Sequence, residues 1–147
     1  MNYGPAPLSV SPLTITFERM FDPWAFAEER DIEVSRIPLR HLSGYTDGRR
    51  IWLDQHLTAT EARCALTHEL IHLARGHDRH QPPAVEDRVR ADTARLLVPW
   101  AAITTHAGSQ LSPWHLAQEL GVTERVLADR LQHASAAELV ELRGAAG

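Results

Sequence analysis

The 147-residue sequence contains no lysine, and all 15 of its basic side chains are arginines. That usage reflects the codon bias of a GC-rich genome rather than a function. Nor is there a basic surplus: the formal net charge of −4 argues against non-specific binding to nucleic acid or to an anionic membrane. A single cysteine, Cys64, excludes an internal disulfide framework. No apolar run reaches the roughly 18 residues that a membrane span needs. The first residues carry neither a basic region nor an apolar core of a secretory signal, and Pro5, Pro7 and Pro12 interrupt them. A soluble, cytoplasmic protein is expected, with no membrane partner and no direct nucleic-acid partner.

What is present is ordinary for a globular chain, with 44% hydrophobic and 23% charged residues. The length suits one domain with a real core. Residues 1–12 read as a loose leader and 13–147 as a single domain. Within it, 13–105 would form a catalytic core and 106–147 a helical part.

One stretch organises the rest: Thr67-His68-Glu69-Leu70-Ile71-His72-Leu73. His68 and His72 are four apart, so a helix places them on one face. Two imidazoles at that spacing can grip one zinc ion. Glu69, about 100° round the helix, is placed to act as general base toward the attacking water without occupying the metal. The chemistry implied is peptide-bond hydrolysis. Composition alone yields roughly 0.04 such matches per chain, so context has to carry the motif. Thr58 and Glu61 form a capping box that starts the helix. Ala62, Ala65, Leu66, Leu70 and Leu73 continue it, and Gly76 stops it near Arg75.

The surrounding pattern is α+β. Leu13, Ile15 and Phe17 alternate as a short strand. Asp22-Pro23 opens a helix to about Arg30. Ile32 and Val34 begin a strand that Pro38 ends or places at an edge. Residues 45–53 read as a hairpin with Asp47-Gly48 as a two-residue turn. A small antiparallel sheet packed on the metal helix follows, with Ile51–Leu53 as the edge strand along which an extended substrate would pair. After the metal helix, Pro82-Pro83 opens a helix to about Val98. Helical stretches are then expected over 99–105, 111–121, 123–134 and 136–143.

Catalytic zinc needs three protein ligands and an open position. On the second helix, Val85, Val89, Leu96 and Trp100 define an apolar stripe. Glu86 and Asp92 flank it on opposite sides, and Asp87 points away, so helical geometry leaves Glu86 and Asp92 both open. His77 and His80 lie in the intervening loop, and either could donate to the oxyanion of hydrolysis. Cys64, one turn before His68, reads as a small buried hydrophobe.

The string Arg63-Cys64-x-Leu66-Thr67-His68-Glu69-Leu70-Ile71-His72-Leu73, then Gln81-Pro82-Pro83-Ala84-Val85-Glu86-x-x-Val89, then Leu96-Leu97-Val98-Pro99, resembles the ImmA/IrrE family of metallo-endopeptidases. The likeness is to the actinobacterial and phage type and covers about residues 32–100. That family shows H-E-x-x-H, then E-x-x-(A/C)-N, then L-L-x-P. The resemblance implies Glu86 as third ligand and zinc as cofactor. It also implies a protein substrate, a helix-turn-helix repressor of a phage or mobile element, whose cleavage causes derepression. This chain departs from the pattern at Arg90, where the family carries Asn.

Residues 116–131 resemble a helix-turn-helix. Residues 111–147 hold three arginines against five acids, which disfavours a DNA reader and favours a packing or docking unit. The competing reading is a non-catalytic regulatory module that binds a repressor or other protein through these helices. A structural zinc site is disfavoured, because such sites usually take four ligands, mostly Cys and His.

Overall fold

The structure is a computed structural model and describes residues 20–147. The loose leader expected at 1–12 and the strand expected at 13–17 lie outside the described residues. Helix α1 (Pro23–Glu29) starts as its sequence dictates. Asp22 Oδ1 accepts from the N–H groups of Trp24 and Ala25, and Pro23 takes the first position, where no N–H is needed.

Three strands follow: β1 (Val34–Ile37), β2 (Gly44–Thr46) and β3 (Ile51–Asp54). They form one sheet in the order β1-β3-β2. The sheet is mixed rather than antiparallel, because β1 runs parallel to β3 and β2 antiparallel to it. The cause is the connection after Ile37. Pro38 has no N–H to continue the ladder, and the Leu39 N–H turns to the Asp54 side chain at 2.9 Å. The chain thus crosses the end of β3, and the Asp54 N–H pairs with the Ser43 carbonyl. β2 then runs back, and the hairpin inserts β3 between its predecessors.

Ile51–Leu53 is therefore the central strand, not the edge. Ile51 and Leu53 are fully buried under the next helix. Among the described residues both edges belong to other strands, and β2 is the one beside α2, the helix of His68 and His72, whose range is Ala59–Ala74. The turn is also longer than two residues. Thr46 pairs with Ile51, leaving Asp47–Arg50 between them. Asp47 Oδ1 captures the N–H groups of both Arg49 and Arg50, so those residues cannot join the ladder. Gly48 supplies the positive φ of 89° that this loop requires.

Helix α2 (Ala59–Ala74) carries the full capping box of Thr58 and Glu61. Its inner face packs on Ile51, Leu53 and Ala27 through Ala62, Leu66 and Leu70. Helix α3 (Pro83–Leu97) crosses it, and α4 (Trp100–Thr105), α5 (Pro113–Leu120), α6 (Glu124–Gln132) and α7 (Ala136–Ala145) complete the chain. The inward row of α3 is Val89, Thr93 and Leu97, whereas Leu96 is exposed. The apolar stripe therefore lies further round the helix than Val89 and Leu96 suggest. The difference is decisive for function, since Glu86 and Arg90 then extend the inward row toward α2. A second core gathers Cys64, Ala94, Leu97, Trp100, Leu120 and Leu127 from α2 through α6. Among the described residues no helix is long and apolar enough to cross a membrane.

Arg130 fastens the helical part. It is 4% exposed, donates Nε to the Val98 carbonyl at 2.8 Å, and meets both oxygens of Glu138. Its guanidinium also lies over the Trp100 ring. Hydrogen bonds from Arg130 hold the Glu138 carboxyl down at about 2, below the usual 4.5. A depressed carboxyl stabilises the fold above its unfolded value and loses that contribution as pH falls through its folded value. The stability gap between wild type and Glu138→Gln, measured by urea unfolding, should therefore be widest near neutrality and close as pH falls from 4.5 toward 2. Arg130→Ala should cost about 3 kcal/mol at pH 7, because it strands a half-buried carboxylate and a buried carbonyl.

Candidate metal centre

Helix α2 sets His68 and His72 one turn apart, and their Nε2 atoms stand 3.1 Å from each other. Glu86, in the first turn of α3, brings Oε2 to 3.3 Å from His68 Nε2 and 3.1 Å from His72 Nε2. Its other oxygen accepts the Gln81 N–H at 3.0 Å, so the loop before α3 aims the carboxylate at the imidazoles. These three side chains form the candidate metal-holding group among the described residues.

The donors fit a metal on distance and on chemistry. Ligand atoms about 2.0–2.1 Å from a tetrahedral ion stand roughly 3.3 Å apart, close to the spacing found here. Two imidazole nitrogens and a carboxylate oxygen form a borderline-soft set suited to a first-row divalent ion. Protonation favours the same reading. Burial, with His72 nearby, pulls His68 down to about 4. Burial also lowers His72. Burial works to raise Glu86, but the Gln81 N–H and the two imidazoles outweigh it and hold the carboxyl below its usual value. At neutral pH the histidines therefore offer lone pairs and Glu86 a charge. His77 Nδ1 stands 2.9 Å from His72 Nδ1, behind the imidazole, where it can fix the ring's orientation.

Glu69 is 8% exposed and lies beside the triad. Burial, then the Glu86 charge, pushes its carboxyl up to about 7, a range in which a base can accept and return a proton at neutral pH. Its side chain passes directly over β2. A Cβ at Gly44 would stand 2.9 Å from Glu69 Cγ and 3.3 Å from Leu53 Cδ2, so only glycine leaves room there. Sequence reasoning missed Gly44, because nothing local distinguishes a glycine that opens a strand from one that ends a turn.

The remaining sequence candidates separate. Asp92, two turns further along α3, pairs with Arg75 and Arg95 away from the triad. His80 is largely exposed, with Nδ1 3.5 Å from Glu86 Oε1. Cys64 is buried, its thiol is pushed up by burial, and it packs in the helical core. Arg90 does not bond a ligand histidine. Its Nε and Nη2 donate to Asp129 of α6 at 3.2 and 2.6 Å, a tie that no spacing rule could reveal across 39 residues. A cavity of about 640 Å³ opens onto this centre. Its walls are β2, α2, the start of α3, and Thr123, Arg125 and Val126 at the start of α6.

The family model Peptidase_M78, described as the IrrE N-terminal-like domain, matches residues 27–132. The chain belongs to this family. Among curated proteins and solved structures nothing matches it. Membership in Peptidase_M78 makes the activity metallopeptidase-type, and the match spans every side chain of the metal centre together with α6. The ImmA/IrrE resemblance read from residues 32–100 thus extends further along the chain.

Gly44→Ala should displace Glu69 while leaving the three metal donors in place. Metal uptake should stay within about twofold of wild type, and proteolytic turnover should fall by at least tenfold. Normal turnover in that variant would show that the close approach is incidental.

Proposed function

We propose that this protein is a zinc-dependent endopeptidase acting on a specific protein, a helix-turn-helix repressor of the phage or mobile-element type. The observation that carries the enzymatic part is the mutual spacing of His68 Nε2, His72 Nε2 and Glu86 Oε2, 3.1–3.3 Å, with a buried carboxylic acid at their side. The ImmA/IrrE resemblance supports the substrate class.

Zinc held by His68, His72 and Glu86 would polarise a peptide carbonyl and lower the pKa of water. Glu69 takes a proton from the attacking water, and its buried position makes it a stronger base than an exposed carboxylate. It then returns that proton to the departing amine. Gly44 keeps the carboxyl within reach. An extended substrate would pair with the edge of β2, whose outer side has no strand partner among the described residues. This role passes to β2 from the central strand Ile51–Leu53.

The C-terminal helices support a docking role rather than a DNA-binding one. Asp129 and Arg130 of α6 are buried in ion pairs, which takes Arg130 away from any phosphate. The start of α6 instead forms a wall of the cavity.

Two measurements test the reading. Glu86→Ala should abolish stoichiometric zinc, while Asp92→Ala should retain it; metal analysis giving the reverse would make Asp92 the third ligand. Glu69→Gln should keep its zinc and cleave a repressor encoded beside this chain about 10²–10⁴-fold more slowly, as followed by mass spectrometry of the products. A zinc-loaded wild type that binds the repressor but leaves it intact would favour the non-catalytic regulatory module.

A further inference from the structure

Arg90 is the most constrained cation around the cavity. It sits one turn beyond Glu86 on the inward face of α3 and lines the same cavity as His68, Glu69 and His72. Its Nε and Nη2 are both committed to Asp129, which is 5% exposed. Nη1 makes no hydrogen bond among the described residues, and Asp87 Oδ1 is 3.8 Å from it. The positive charge is felt at His68, which it helps keep neutral. The other cations of the cavity differ. Arg79 is spent on its neighbour Asp78 and is highly exposed, and His80 is 81% exposed. Arg125 is also exposed. A guanidinium anchored at two nitrogens, whose third faces only the exposed Asp87 carboxylate at 3.8 Å, is a preorganised donor, which loses little freedom when an oxygen arrives.

We propose that Arg90 Nη1 donates to the carbonyl oxygen of the scissile peptide as negative charge develops on it, with Asp129 as the positioning residue that holds the guanidinium. This rests on the metallopeptidase reading above and names the oxyanion donor of that same site. In the step, the water oxygen bonds to the carbonyl carbon and its proton passes to Glu69. The carbonyl π pair moves onto the carbonyl oxygen, where Arg90 meets it. The pair returns as the C–N bond breaks, and the proton on Glu69 leaves with the amine. His77 and His80 are then not the oxyanion donors: one supports His72, and the other is held only by the loop.

The test uses two zinc-directed probes on the zinc-loaded full chain: N-phosphoryl-Leu-Ala, whose tetrahedral phosphoryl oxygens mimic the oxyanion, and mercaptoacetyl-Leu-Ala, which binds metal without one. The variant Arg90→Gln/Asp129→Asn replaces the ion pair between α3 and α6 with a neutral pair that can still hydrogen-bond, and its fold is checked by circular dichroism. Calorimetry should show the phosphoryl probe weakened about 100-fold, with the thiol probe and zinc content within about threefold of wild type. Asp129→Asn alone should weaken the phosphoryl probe by a smaller factor. Equal losses for both probes, an unchanged phosphoryl affinity, or a wild type that holds zinc but not the phosphoryl probe would overturn the assignment. A wild type that takes up no zinc would instead overturn the metallopeptidase reading, and this inference with it.

Discussion

The candidate site depends on one contact between helices: the Glu86 carboxylate of α3 facing the two imidazoles of α2. Two imidazole nitrogens and a carboxylate that face one another away from bulk water would be costly there without a cation between them. Neighbouring groups hold them in that arrangement. The Gln81 N–H orients Glu86, and His77 backs His72. The helix crossing that brings them together is fixed by apolar packing elsewhere, with Leu66 and Leu70 on the sheet and Leu97 and Val98 in the helical core. The two cores meet at α2, so the metal helix is gripped from both sides.

Much of this was legible in the residues, because it is local. The i,i+4 histidines, the Thr58–Glu61 capping box, the Asp22-Pro23 start and the Pro83 start are short-range signals with direct mechanical meaning. Helix ends fell within a few residues of expectation for that reason. The family likeness was also carried by local strings, and the match over residues 27–132 supports it. What escaped was long-range. Strand order depends on how the chain passes the end of β3 after Pro38, and no alternation pattern encodes that. The hairpin dipeptide Asp47-Gly48 misled because the Asp47 side chain competes with the ladder for two backbone N–H groups.

The face of α3 shows how a small angular error matters. A stripe drawn through Val89 and Leu96 leaves Glu86 and Asp92 symmetric. The observed row through Val89, Thr93 and Leu97 breaks that symmetry, turning Glu86 and Arg90 inward and Asp92 toward Arg75 and Arg95. Arg90 in turn reaches α6, so the helices after residue 110 are coupled to the centre through one ion pair and one cavity wall. The start of α6 and β2 line one cavity with the candidate centre, so these helices are not a separate unit in the fold.

The proposed function requires one zinc ion held by two nitrogens and one oxygen from His68, His72 and Glu86. X-ray absorption spectroscopy of the zinc-loaded chain at the zinc edge measures that directly. Scattering from nitrogen and oxygen alone at about 2.0–2.1 Å is expected, with the multiple-scattering signature of two imidazoles. A sulfur shell at about 2.3 Å, placing Cys64 on the metal, or the signature of a single imidazole would contradict it.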